Sequence, residues 1–154
     1  MNNPRTWLPL GLILAALSVV TGAFGAHGLE GRLESIHGTG DRTIAGLTVP
    51  ASYKYLRDFN TAADYQMTHA LGLIALGIVA GRGTARLSHR VAAWCFVLGI
   101  VLFSGSLYVL VLTGQKWLGA ITPIGGTLMI VAWVSFALSC RSAPHEPTST
   151  ASKP

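Results

Sequence analysis

The chain has 154 residues, of which 51% are apolar and only 11% are charged, and its formal net charge is +5 at pH 7. A soluble domain of this size normally has about a quarter charged residues, so the composition argues against an ordinary water-soluble domain. The positive charge does not indicate nucleic-acid binding, because no basic run with interleaved aromatic residues lies outside the apolar segments and membrane proteins collect Lys and Arg in cytoplasmic loops.

Four long apolar runs dominate the sequence, and none has Lys, Arg, Asp or Glu at its centre; they are residues 7–26, 65–80, 91–112 and 117–138. A helix of about 20 residues crosses a hydrocarbon layer of roughly 30 Å. The runs predict an all-α, polytopic membrane protein: an up-down bundle of four transmembrane helices forming one domain over residues 1–141, with spans near 7–26, 62–81, 91–112 and 117–139. A soluble bundle is the alternative, but too few amphipathic helices remain to cover the runs.

The first run also has features of a signal peptide: basic Arg5, an apolar stretch, and small residues at 23 and 25. Its continuous apolar length of about 19 residues exceeds the 7–15 residues of a signal-peptide core. We therefore expect a retained helix. Cleavage would leave three spans.

The segment between the first two spans is rich in glycine, at positions 28, 31, 38, 40 and 46. We interpret residues 28–58 as an extramembrane loop with an interfacial helix, including a short helix around residues 29–35. A helical pattern resumes after Pro50, with Lys54, Arg57 and Asp58 on a polar face, and continues into the second span. The Ser-, Thr- and Pro-rich residues 142–154 are predicted to form a disordered tail.

Arginine placement predicts the orientation of the chain. Arg82, Arg86 and Arg90 lie in the short second loop, and Arg5 and Arg141 flank the other two ends on the same side. By the positive-inside rule, both termini are expected to be cytoplasmic.

Polar residues of the spans are predicted to converge in the outer half of the membrane, because successive helices alternate in direction. The members of this candidate binding cluster are His27, Gln66, His69, Ser104, Tyr108 and Thr122. Interhelical hydrogen bonds that hold the bundle together are the favoured interpretation. A functional site is the other, since ionisable residues inside spans mark function by default.

Evidence for a cofactor or a catalytic centre is weak. His27 and His69 are weak candidates for a metal or haem, because no Cys, Met or carboxylate accompanies them at ligand spacing. The sequence has no phosphate-binding glycine loop, GxSxG or HExxH, and Cys95 and Cys140 form no CxxC motif. We predict no cofactor, no metal site, no catalytic residue and no enzymatic activity.

Small residues recur at four-residue spacing in two spans, at Ser18, Gly22 and Ala26 and at Gly77 and Gly81. Close packing inside the bundle explains this spacing, and a homodimer contact is the alternative.

Four motifs resemble the YgdD-type family of small four-helix membrane proteins, which occur in bacteria and mitochondria and have no known function. They are residues 22–29 (GAFGAHGL), 59–70 (FNTAADYQMTHA), 103–108 (FSGSLY) and 117–126 (WLGAITPIGG). Residues 35–50 resemble an insertion into the family's shorter first loop. The resemblance implies a four-span protein of the cell (inner) membrane and brings no established activity.

The sequence thus favours a non-enzymatic structural or accessory protein that acts in the lipid bilayer through membrane-protein partners or as a homodimer. A small oligomeric transporter or channel is one alternative. A haem, metal or quinone site at His27 and His69 on the outer membrane face is the other.

Overall fold

The computed structural model describes residues 6–81 and 87–140. Arg5, Arg82, Arg86 and Arg141, on which the predicted orientation partly depends, lie outside the described residues, as does the predicted tail 142–154.

The described chain is mostly helical. Its helices are α1 (Trp7–Gly28), α2 (Glu30–His37), α3 (Ala51–Gly81), α4 (Leu87–Ile100), α5 (Ser106–Thr113) and α6 (Thr122–Cys140). A π-helical segment, Val101–Gly105, joins α4 to α5, and a 3₁₀ segment, Lys116–Ala120, precedes α6. Gly114 ends α5 with a left-handed φ of 73°, and its N–H donates to the carbonyl of Leu110. A glycine suits this position because it adopts a positive φ without steric cost.

Three helical stretches are long and apolar enough to cross a membrane in the described part of the chain: Trp7–Gly28, Leu87–Thr113 and Lys116–Cys140. They contain the first, third and fourth apolar runs of the sequence. The second run lies within α3, a helix of 31 residues. Asp64, Gln66 and His69 precede its apolar half, so α3 as a whole is less apolar than the other three.

The helices pack in two main pairs, α1 with α3 and α4 with α6, and α3 also contacts α4 and α5. α1 and α3 are antiparallel: Ser18 lies against Ala63, whereas Gly11 lies against Ala70 and Ile74. α3 consequently occupies the centre of the molecule, with buried residues along its whole length.

A short β-hairpin follows α2 where the sequence predicts an irregular loop. β1 (Asp41–Ile44) pairs antiparallel with β2 (Leu47–Pro50) across a turn at Ala45 and Gly46, which have φ of 49° and 83°. A two-residue turn with both φ positive matches the twist of the paired strands. Because its first turn residue is Ala rather than Asn or Asp, the usual sequence signal for such a hairpin is weak.

Two separate cores fill the two ends of the bundle. At the end that holds α2 and the hairpin, here called the hairpin end, the buried residues are Leu29, Leu33, Ala51, Tyr55, Phe59, Leu110, Val111 and Leu118. At the opposite end they are Trp7, Leu73, Leu76, Ala92, Ala93, Phe96 and Ala132. Most of the candidate polar residues lie along the bundle between these two cores.

Candidate functional site: a polar network between three helices

Four polar side chains make hydrogen bonds that link α1, α3 and α5, and they are here called the polar network: Thr21, Tyr108 and Gln66, which form one chain of bonds, and Ser18, whose bond is separate. The Ser18 hydroxyl donates to the Ala63 carbonyl at 2.8 Å. Thr21 Oγ1 lies 3.0 Å from the Tyr108 hydroxyl, which in turn donates to Gln66 Oε1 at 3.0 Å.

Gln66 is the central residue of this network. Its Nε2 donates to the Leu14 carbonyl of α1 at 2.8 Å while its Oε1 accepts from Tyr108 of α5. The Gln66 side chain is buried, and both its amide nitrogen and its amide oxygen form hydrogen bonds. Hydrogen bonds between helices in a membrane contribute about 0.6–2 kcal/mol each, so Gln66 fixes the positions of two neighbouring helices at once.

A second polar contact joins α5 to α6. Ser106 Oγ lies 3.0 Å from Thr122 Oγ1, and each hydroxyl is also within hydrogen-bond distance of a backbone carbonyl, those of Phe103 and Leu118. Tyr108 and Thr122, both members of the predicted cluster, therefore belong to two different contacts.

His69 lies among aromatic rings rather than beside other polar cluster members. Its Nδ1 is 2.6 Å from the Tyr65 carbonyl on its own helix. The imidazole stacks with the Tyr65 ring at 5.7 Å and lies 6.1 Å from the Phe96 ring and 6.2 Å from the Trp133 ring. This environment holds a buried histidine in one orientation.

The structure does not bring His27 and His69 together. His27 is exposed in the last turn of α1, where the neighbouring Gly25 faces Asn60 of α3. His69 is nine residues further along α3 than Asn60, about 13 Å at 1.5 Å per residue, and near Gly11 of α1. The register of α1 on α3, which the sequence does not specify, therefore separates the two candidate ligands.

Ser104 is fully buried in the π-helical segment, and its hydroxyl has no hydrogen-bond partner among the described residues. Its neighbour Phe103 packs on Gly126 of α6 and stacks on Tyr65 of α3. Ser104 therefore does not join Gln66 and Tyr108, although all three were predicted to converge.

The polar network lies on the hairpin side of the midpoint of the bundle. The two long helices Leu87–Thr113 and Lys116–Cys140 meet near their midpoints, where Gly99 packs against Met129. Gln66 accepts a hydrogen bond from Tyr108, which lies in the half of Leu87–Thr113 nearer the hairpin end, whereas His69 lies beside Phe96, closer to the midpoint. The placement of these residues in the outer half of the membrane stays a prediction.

Sequence reasoning missed Thr21 and assigned Ser18 only to packing between small residues. A signal was present, since residues 18 and 21 are three apart and so share a helix face. No group of three or more His, Cys, Asp or Glu side chains suited to a metal ion occurs within residues 6–81 and 87–140. The polar network offers hydroxyl and amide groups, which suit hydrogen bonding between helices.

The helices are long and apolar, and their buried polar groups form hydrogen bonds between helices. These features define an integral membrane protein. Comparison with known proteins identifies the family of this membrane protein. Residues 21–126 match the family described as "Protein of unknown function (DUF423)", and the chain belongs to this family. The resemblance to a family of membrane proteins of unknown function is thereby confirmed.

The relatives of this chain are named as membrane proteins. It is 43% identical over 135 residues to UPF0382 membrane protein SH2409 of Staphylococcus haemolyticus, covering 88% of this chain and 94% of the relative. It is 39% identical over 135 residues to UPF0382 membrane protein YwdK of Bacillus subtilis, covering 88% and 95% of the two chains. No solved structure matches the chain significantly.

Proposed function

We propose that this protein is a non-enzymatic structural or accessory protein of the cell membrane, with four crossings and both termini in the cytoplasm. The observation that carries the accessory role is the polar network: Ser18, Thr21, Gln66 and Tyr108 are joined to one another or to backbone carbonyls across three helices. Groups engaged in this way stabilise the bundle and are not directed at a substrate.

α3 supplies the fourth crossing in this proposal. It pairs with α1 over the length of that apolar helix, from Gly25 opposite Asn60 to Leu8 opposite Gly77. Its polar Gln66 and His69 are buried toward the other helices. A moderately polar helix is compatible with a bilayer when its polar side chains face the bundle interior.

Aromatic residues support two membrane interfaces at the ends of the bundle. Trp7 and Trp94 pack edge to face at the opposite end, with ring centroids 5.6 Å apart. Trp117, 64% exposed, lies at the hairpin end. Trp is enriched where a helix leaves the hydrocarbon region.

Reporter fusions test the proposed orientation. Green fluorescent protein fused after the tail fluoresces only in the cytoplasm, and alkaline phosphatase fused after Gly114 is active only outside. The proposal predicts a fluorescent first fusion and an active second one. A non-fluorescent first fusion together with an inactive second fusion would indicate the opposite orientation.

The accessory role is tested against a haem or quinone site at His69. Protein purified in detergent from cells grown with iron is expected to show only the absorbance of its aromatic side chains, and His69→Ala should leave the spectrum unchanged. A Soret or quinone band that the substitution abolishes would contradict the non-enzymatic proposal. In sealed proteoliposomes, ion flux above that of empty liposomes would instead favour a channel.

A further inference from the structure

A groove of about 330 Å³ opens at the hairpin end, away from the polar network. Its lining residues are Arg42, Lys54, Tyr55, Leu110, Lys116 and Gly119. Its three cations come from three separate elements: the hairpin, the start of α3 and the 3₁₀ segment before α6. Residues far apart in the sequence thus bring positive charge to one small concave surface.

The groove carries unbalanced positive charge. Lys54 forms an ion pair with Asp58, N to O 2.5 Å. Neither Arg42 nor Lys116 has a carboxylate within ion-pair distance among the residues that the structure describes. An anion in the groove would therefore bind two cations that form no ion pair within residues 6–81 and 87–140, and charge-assisted hydrogen bonds are the stronger kind.

One wall of the groove is held in place by several contacts. The buried Tyr55 ring stacks on the His37 ring at 3.4 Å, and Lys54 Nζ lies 4.6 Å from the Tyr55 centroid. His37 Nε2 is in turn 2.8 Å from the Val111 carbonyl of α5. These contacts tie α2, α3 and α5 together, so the groove has a fixed shape before any ligand binds.

The position of the groove indicates where its ligand comes from. Leu110 lies in the last turns of a helix long enough to cross a membrane, and Lys116 begins the next such helix. Trp117 beside it is exposed, as at a membrane interface. The cations are therefore at the depth of lipid headgroups, and the Leu110 side chain offers an apolar surface beside them.

We propose that this groove binds the phosphate of an anionic phospholipid headgroup, with Arg42 and Lys116 contacting the phosphate oxygens. Arg can contact two oxygens of a phosphate at once, and Lys supplies a compact charge. A lipid headgroup and inorganic phosphate share this chemistry, because both present a phosphate anion. The lipid is the inferred source because the groove lies at the membrane surface, and the inference holds whichever side the hairpin end faces.

The test uses the full-length protein purified in a zwitterionic detergent and titrated separately with phosphatidylglycerol and phosphatidylcholine, with bound lipid counted by native mass spectrometry. The test variant is Arg42→Gln with Lys116→Gln. The control is Arg32→Gln with Arg57→Gln, which removes the same charge from two exposed residues at the same end that do not line the groove. Circular dichroism establishes that both variants are folded.

We expect the test variant to bind phosphatidylglycerol at least about tenfold more weakly and the control to change by less than about twofold, because Arg32 and Arg57 do not line the groove. Gly119→Leu, which fills the groove without changing its charge, should also weaken binding. Equal losses in the test and control variants, or undiminished binding in Gly119→Leu, would overturn the site. Inorganic phosphate that displaces the lipid at equal concentration would overturn the lipid as the source.

Discussion

The two main helix pairs of this protein are held together in different ways. α1 and α3 are joined by side chains that donate to backbone carbonyls of the facing helix, Ser18 to Ala63 and Gln66 to Leu14. α4 and α6 meet through close glycine contacts and an edge-to-face pair of Phe96 and Trp133, 5.0 Å between ring centroids. Lipid supplies no hydrophobic driving force between helices, so packing and hydrogen bonds must supply the attraction. The first pair combines these hydrogen bonds with close glycine contacts at Gly11, Gly25 and Gly77, whereas the second pair relies on packing.

Glycine contact in the second pair gives the largest expected effect. A methyl group on Gly125 would overlap backbone atoms of Leu102 and Phe103, which cannot move without shifting a helix. Gly125→Ala should therefore lower the free energy of unfolding by about 3 kcal/mol, measured by denaturation in mixed detergent micelles. Gly126→Ala is the control, since its methyl group would make an ordinary contact of 3.7 Å with the Phe103 ring. Equal effects of the two substitutions would contradict the close approach of α6.

Gly77, a close-contact glycine between α1 and α3, should affect the free energy of unfolding somewhat less. A methyl group on Gly77 would lie 2.8 Å from the Leu8 backbone nitrogen near the start of α1, where a helix end shifts more easily than its middle. Gly77→Ala is expected to cost about 2 kcal/mol. Gly81→Ala, with nothing within 4 Å, should be neutral. If Gly81→Ala lowered the free energy of unfolding more than Gly77→Ala, this face of α3 would contact another molecule rather than α1.

The hydrogen bonds of the first pair are tested at Gln66. Gln66→Leu introduces an apolar side chain of similar size and leaves the Leu14 carbonyl without its side-chain donor. A loss of about 1–2 kcal/mol in unfolding free energy is expected. Thr68→Val is a matched control on the same helix, because the exposed Thr68 hydroxyl bonds only to the Asp64 carbonyl of its own helix. A neutral Gln66→Leu would show that packing alone holds α1 to α3.

The smallest expected effect is the coupling between Gln66 and Tyr108. In a double-mutant cycle of Gln66→Leu and Tyr108→Phe, the interaction free energy should be about 0.6 kcal/mol, the average for such pairs in membranes. Tyr108→Phe combined with Thr68→Val should show no coupling. Additive effects of the first two substitutions would mean that their 3.0 Å hydrogen bond contributes nothing to stability.

Sequence patterns predicted the long apolar helices well, because each has a continuous apolar run of the right length. They did not predict the hairpin, since Ala45 and Gly46 form an unusual turn and the surrounding glycines suggested a loop. The sequence also predicts a short helix around residues 29–35, and α2 (Glu30–His37) occupies that region.

The candidate site was harder to predict, because it depends on how far one helix slides along another. Helical spacing puts Gln66 and His69 on one face of a helix, but it cannot specify that Leu14 lies opposite Gln66. A shift of two turns between α1 and α3 would have brought His69 closer to His27. Glycine contacts such as that of Gly11 with Ile74 therefore determine which polar residues meet. These contacts cannot be predicted from one sequence.

The proposed four-span topology depends on whether α3 crosses the membrane. In a chain with Cys95→Ala and Cys140→Ser, Tyr53→Cys and Gly81→Cys place single thiols near the two ends of α3, both at exposed positions. A membrane-impermeant maleimide added to intact cells should label the variant at position 53 and should label that at position 81 only after permeabilisation. Labelling of both, or of neither, in intact cells would contradict a fourth crossing.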